Sequence, residues 1–240
     1  MKITTSSGDH ETHREHAYHR LQLALMAGDY EPGQKITIAA VATALGVSAT
    51  PVREALRRLT AEGALVMKPN RSVTVPRLSS EEALAIRGVR AQMEPYAVRL
   101  AAPRIDQDRL DRLAEIELAI AAARDRRDGR KLQSLNKDFH FTIYEACGVP
   151  VLTDLIGKLW LLSASTLNLL FKPEHFARYR LAAQNRNNHA LVAALRNHDG
   201  ERAAKALLAE IEEGNRMLTA LMKDTGWDEP VRTTARLRRA

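Results

Sequence analysis

One cysteine, Cys147, stands in 240 residues. It excludes an internal disulfide framework and any cage of several thiolates, and it fits a reducing compartment, with a small core residue as its plainest reading. Aromatic residues make up only 5% of the chain, while alanine, leucine and arginine abound, which favours helix over strand. An all-β sandwich is thereby disfavoured. Apolar stretches such as Val149–Leu155 and Leu159–Leu162 fall far short of the roughly 20 residues that span a bilayer. Residues Met1–Glu11 lack the apolar segment of a signal peptide, so a cytoplasmic protein without a membrane partner is expected. What is present is 45% hydrophobic and 27% charged. That suffices for one large domain or two modest ones with real cores, and it excludes a chain disordered throughout.

The formal charge of +7 suggests nucleic acid, but its placement weakens that inference. Residues 11–76 carry a net +2 and residues 77–230 a net +1, whereas the last ten residues, with Arg232, Arg236, Arg238 and Arg239, carry +4. Most of the excess therefore reads as a solvated basic tail.

The spacing of Tyr18, Leu21 and Leu25 predicts a helix from about His13 to Ala27, stopped by Gly28. After the Glu31-Pro32-Gly33 turn, Thr37 caps a short helix that ends at Gly46. Ser48 with Pro51 then opens a helix whose stripe is Val52, Ala55, Leu56 and Leu59. Ala64–Met67 and Ser72–Val75, flanking Pro69-Asn70-Arg71, predict a two-stranded hairpin. Helix, short helix, tight turn, capped helix and hairpin is the order of a winged helix-turn-helix; any small α+β module is the alternative. Residues 1–12 are expected to be disordered, 13–76 to form this unit and 77–78 a linker. From Ser79 onward the chain reads as helices near 79–102, 106–127, 130–147, 150–171, 174–198 and 200–223, with a basic tail over 224–240. Short connections predict antiparallel packing, so the fold class is mainly α: a winged helix-turn-helix followed by an all-α helical bundle over 79–223, large enough to enclose a pocket.

The run Gly46–Leu59, with Pro32-Gly33 before it and Glu62-Gly63 and Pro69-Asn70-Arg71 after it, resembles the DNA-binding domain of GntR-family transcription regulators. Val89–Pro95, Asn136–His140, and Asn188-His189 with Ala193–Leu195 resemble the effector-binding FCD domain of the FadR-like subfamily. Ala49 and Ala39 stand where that family usually has arginine, and Ser72 where its wing usually has glycine; these departures bear on the operator sequence.

On the helix opened by Ser48, residues Ser48, Thr50 and Arg53 lie where a recognition helix meets DNA: hydroxyls suit phosphates, and an arginine can read a guanine edge through two hydrogen bonds. A salt bridge is the alternative for Arg53. Arg57, and Lys68 with Arg71 on the hairpin, are further candidates, with plain solvation as their alternative. A double-stranded operator bound by a homodimer is expected, with the bundle as the dimerising element by resemblance.

In the bundle, Asn136 and His140 are one turn apart beside a core stripe, and His189 and Glu210 read as inward on the last two helices. Imidazole and oxygen donors from three helices suit Zn, Ni, Mn or Fe, although a lone inward histidine is more often a core residue. The resemblance implies a divalent metal at these places, where the family has an Asp-x3-His pair and two further histidines. Arg90 and Glu94 could form a small-value surface pair; the resemblance implies instead that Arg90 holds the carboxylate of a small organic acid. Asn168, Ser163 and Trp160 are candidate lining residues. The expected function is a transcription regulator, a repressor by family habit, that responds to such an effector and is not an enzyme. The alternatives are a metal-dependent enzyme using His140 and His189, disfavoured by the lack of common catalytic motifs, and an architectural DNA binder with an inert bundle.

Overall fold

The computed structural model describes residues 7–172 and 182–228. Helix α1 (Ser7–Met26) buries Ala17, Tyr18, Leu21 and Leu25 against helix α3 (Ala49–Ala61), which answers with Val52, Ala55, Leu56 and Leu59. Residues 7–12, expected to be disordered, belong to α1; the first six residues lie outside the described part. Between the two, Thr37 Oγ1 accepts from the Ala40 amide at 3.2 Å and caps α2 (Ile38–Leu45). Gly46, at φ 65°, closes α2 in the left-handed conformation that the tight turn requires. Strands β1 (Lys35–Ile36), β2 (Val66–Met67) and β3 (Val73–Thr74) form an antiparallel sheet in the order β1-β3-β2. The predicted hairpin is β2-β3. The third strand carries no readable pattern, because two residues are too few to show a period.

Among the described residues the regular structure of the second half is all helical: α4 (Ser80–Ala101), α5 (Gln107–Asp125), α6 (Gly129–Tyr144) with a short 3-10 turn at Glu145–Cys147, α7 (Pro150–Leu170), α8 (Ala182–Arg196) and α9 (Gly200–Asp224). A capping box between Ser79 and Glu82 starts α4, and the side chains of Asp106, Asp128 and Asp199 cap α5, α6 and α9. Helix α4 packs on α9 and α7, α8 on α9, and α5 on α6. Cys147 is fully buried. The amino-terminal part of the helix expected from 174, and residues 229–240 of the basic tail, lie outside the described residues.

Two side chains of the bundle reach the turn after α1. Asn168 Nδ2 donates to the carbonyls of Gly28 (3.0 Å) and Tyr30 (3.3 Å), and Gln133 Nε2 donates to that of Met26 (2.9 Å). Asn168, expected to line a pocket, therefore joins the two halves of the molecule instead. Helix α1 also packs on α7. The segment expected to begin the solvated tail is likewise structured: Trp227 Nε1 donates to the Leu78 carbonyl at 2.7 Å.

Candidate functional site

The turn Gly46–Ser48 delivers α3 to the surface with its apolar stripe inward, so Ser48, Thr50 and Arg53 face outward and are exposed. Ser48 occupies the N-cap position without a side-chain cap bond. The cap expected from its hydroxyl is absent, and that hydroxyl stays available to an external acceptor. Arg53 makes no hydrogen bond or ion pair with any described residue, so the salt-bridge alternative does not hold there. Arg57 pairs with Glu54 at 2.9 Å on the surface. Arg58 is instead part of the fold: it meets Glu15 at 2.9 Å and Glu62 at 3.2 Å, with its guanidinium 3.7 Å from the centre of the Tyr18 ring. Lys68 and Arg71 are exposed at the hairpin, where Arg71 has φ 60°.

Between α4, α6, α7 and α9 lies a cavity of about 60 Å3, room for a few water molecules. Arg87, Arg90, Asn136, His140, Trp160 and Glu210 are among its lining. Arg90 and Glu94, 4% and 0% exposed, form a buried pair with a 2.5 Å contact from Nε to Oε1. Burial alone would raise the Glu94 carboxyl. The Arg90 charge and hydrogen bonds from Arg90 and Tyr144 overcome that and hold it below its ordinary value. Tyr144 donates to Glu94 at 2.7 Å and Trp160 Nε1 at 2.8 Å. Arg90 also donates to Ser163 Oγ at 3.2 Å and lies 4.2 Å from the centre of the Trp160 ring. The surface reading of the Arg90–Glu94 pair is thus wrong, because both side chains are buried in the bundle at the edge of the cavity.

Arg87, absent from the candidates drawn from the sequence, is the less satisfied guanidinium. It donates to Asn215 Oδ1 and to the Ile211 carbonyl at 3.3 Å, yet its Nη1 is buried with no partner. Burial, with the Arg90 charge beside it, lowers its pKa to about 9, against partial compensation from Glu94 and Glu210. It remains charged at neutral pH. A signal was present in the sequence: Arg87, Arg90 and Glu94 continue the face that Ala83, Ala97 and Ala101 bury on α4.

The four expected metal donors do not converge. Asn136, His140 and Glu210 line the cavity, with His140 Nε2 3.1 Å from Glu210 Oε1 and Nδ1 buried without a partner. His189 is exposed and meets Glu117 Oε1 at 2.9 Å on another face. Its neighbour Asn188 is 2% exposed and shares the buried face with Leu191, Val192 and Leu195, whereas Ala193 and Arg196 share the exposed side with His189. Helix α8 is therefore turned by one residue, about 100°, from the expected orientation. One imidazole already bonded to the one carboxylate, plus an amide, is a poor set for a divalent transition ion. Among the described residues no three His, Cys, Asp or Glu side chains are placed to hold one. The residues present do not fit the implied metal.

Residues 13–75 match the bacterial regulatory proteins of the gntR family, and residues 85–213 match the FCD domain. The chain belongs to the FCD-containing, FadR-like GntR transcription regulators. It is 32% identical over 195 residues to the HTH-type transcriptional regulator McbR of Escherichia coli (strain K12), covering 81% of this chain and 87% of that one. It is 26% identical over 196 residues to the HTH-type transcriptional repressor GlaR of the same organism, covering 79% and 88%. The solved structure of E. coli McbR/YncC superposes with a TM-score of 0.78 at 27% identity, over 87% of this chain and 97% of that one. The chain is accordingly a DNA-binding transcriptional regulator and not an enzyme, and the enzyme alternative built on His140 and His189 falls. Among the described residues no helix is long and apolar enough to cross a membrane.

Proposed function

We propose that this regulator is a cytoplasmic repressor that reads a two-half-site operator as a homodimer and is released by a small carboxylate bound in the cavity between α4, α6, α7 and α9. The observation that carries the effector is Arg87 Nη1, a charged, buried donor without a partner on the cavity wall. Leaving such a group unsatisfied is costly, and a carboxylate oxygen removes the cost. Arg90, named by the resemblance, has each of its three nitrogens bonded to Glu94 or Ser163 and lies over the Trp160 ring, so it offers no wholly unpaired nitrogen as Arg87 does. His140 Nδ1 is a second unpaired polar atom for the ligand, and no metal is required. On the DNA side, Arg53 with Ser48 and Thr50 reads base edges and phosphates, and Arg57, Lys68 and Arg71 add phosphate contacts. Val89 and Tyr96, exposed and seven residues apart on one face of α4, suit contact with a second copy.

The test uses an operator selected from random duplex by the parent protein and a panel of two- to six-carbon mono- and dicarboxylates read by thermal shift. Arg53→Ala is expected to lose at least tenfold in operator affinity at fixed salt with helicity intact. Arg87→Gln is expected to abolish the carboxylate shift that the parent shows, with or without EDTA. Operator affinity equal to the parent's in Arg53→Ala refutes the recognition helix; an unchanged shift in Arg87→Gln refutes the anchor.

A further inference from the structure

We propose that the segment following α9, Gly226–Asp228, is a clamp that couples the cavity to the linker of the DNA-binding domain. Trp227 and Asp228 hold that linker from two sides. Arg77 Nη2 donates to the Trp227 carbonyl at 2.6 Å, its guanidinium lies 4.4 Å from the centre of the Trp227 ring, and Trp227 Nε1 donates to the Leu78 carbonyl. Asp228 Oδ1 accepts from the Ser80 amide at 2.9 Å, at the first residue of α4. A carboxylate suits that place, because the first amides of a helix have no internal acceptor and carry positive potential. The Ser80 bonds and the Arg77 charge also hold Asp228 below its ordinary carboxyl value, so it is ionised at neutral pH. Ordering residues beyond a helix end costs backbone entropy, and these contacts offset it.

The same two helices are pinned together a second time, at the cavity. Arg87 of α4 donates to Asn215 Oδ1 and to the Ile211 carbonyl of α9 while its Nη1 lines the proposed ligand site. An anion at Nη1 therefore acts on the group that ties α4 to α9. From Asn215 to the end of α9 at Asp224 is nine residues, roughly 14 Å at the helical rise, and the turn after it carries Trp227. A packed helix of this kind moves as a unit, so a shift at the upper pin must be met by the lower one. The lower pin sits on Arg77–Ser80, through which the DNA-binding domain joins the bundle. The clamp's regulatory use rests on the effector reading above; the coupling of the two pins can be tested without an effector.

The experiment uses the full chain. Its two tryptophans are Trp160 and Trp227, so Trp160→Phe leaves Trp227 as the sole emitter; if that variant loses helicity, the difference between the parent and Trp227→Phe gives the same signal. Asn215→Ala, which removes the side-chain acceptor of the upper pin without touching the linker, is expected to raise acrylamide quenching of Trp227 at least twofold. A double-mutant cycle of Asn215→Ala and Trp227→Ala on operator affinity is expected to depart from the product of the single effects by more than fivefold, whereas independent sites this far apart combine within about twofold. Unchanged quenching in a folded Asn215→Ala variant, or a cycle that closes within twofold, overturns the proposal. Failure of the parent to bind any carboxylate would remove the effector reading and leave this cycle's outcome standing.

Discussion

Gly214 of α9 makes room for Arg87 of α4: a Cβ at Gly214 would lie 2.5 Å from Arg87 Nη2. The obstructing atom is the end of a flexible side chain, so the guanidinium, not the helix, must give way.

Gly214→Ala is therefore expected to keep the fold, since alanine gains about 1 kcal/mol over glycine in a helix interior and that gain opposes the displacement of Arg87. Urea unfolding should stay within about 1 kcal/mol of the parent. The carboxylate-induced thermal shift should be lost. A shift as large as the parent's would mean that Arg87 does not hold the ligand from its present position.

Stability should fall in acid through Glu94. Its folded carboxyl is held below the unfolded value, so its stabilising contribution is present above the ordinary glutamate range near pH 4.3 and is lost as the pH falls through the folded value. Glu94→Gln should lower stability near neutral pH by roughly 3–5 kcal/mol, because Arg90 is left buried and uncompensated, and should flatten the acid limb. Urea melts from pH 7 to pH 3 check both; an acid limb of equal slope in the variant would assign that limb to other carboxyls.

The turn between α1 and the bundle should be intolerant of side chains. Gly28 has φ +80°, and a Cβ there would lie 2.2 Å from Asn168 Oδ1 and 2.6 Å from Gln133 Oε1. Asn168→Ala should cost about 1–3 kcal/mol by leaving the Gly28 and Tyr30 carbonyls without their donor. Gly28→Ala should cost more, adding backbone strain of about 1 kcal/mol to the clash. Denaturation followed by limited proteolysis at the 26–30 turn reads the outcome, and a Gly28→Ala variant as stable as the parent would contradict this docking.

Local chemistry made the DNA-binding half readable. Thr37 marks a helix end by capping, and Gly46, Ser48 and Pro51 mark theirs by dihedral preference; once the ends are fixed the stripe Val52–Leu59 decides that Arg53 faces outward. The helices of the second half were readable for the same reason, at Asp106, Asp128 and Asp199. The orientation of α8 was not, because His189 has apolar neighbours on both of the faces it could share, and only the packing of α8 on α9 chooses Asn188 for the interior.

The sequence by itself determined where most of the helices begin and end, the exposure of Arg53 on α3, and the family, since each rests on residues near one another in the chain. The tertiary structure alone decided that Arg87 keeps an unpaired donor in the cavity, that Arg90 bonds Glu94 and Ser163 while Asn168 bonds the turn after α1, that His189 does not meet His140, and that Trp227 returns to the linker. These depend on which atoms from distant segments satisfy one another, and a buried polar group's role is set by the partner it finds or lacks rather than by its place in the chain.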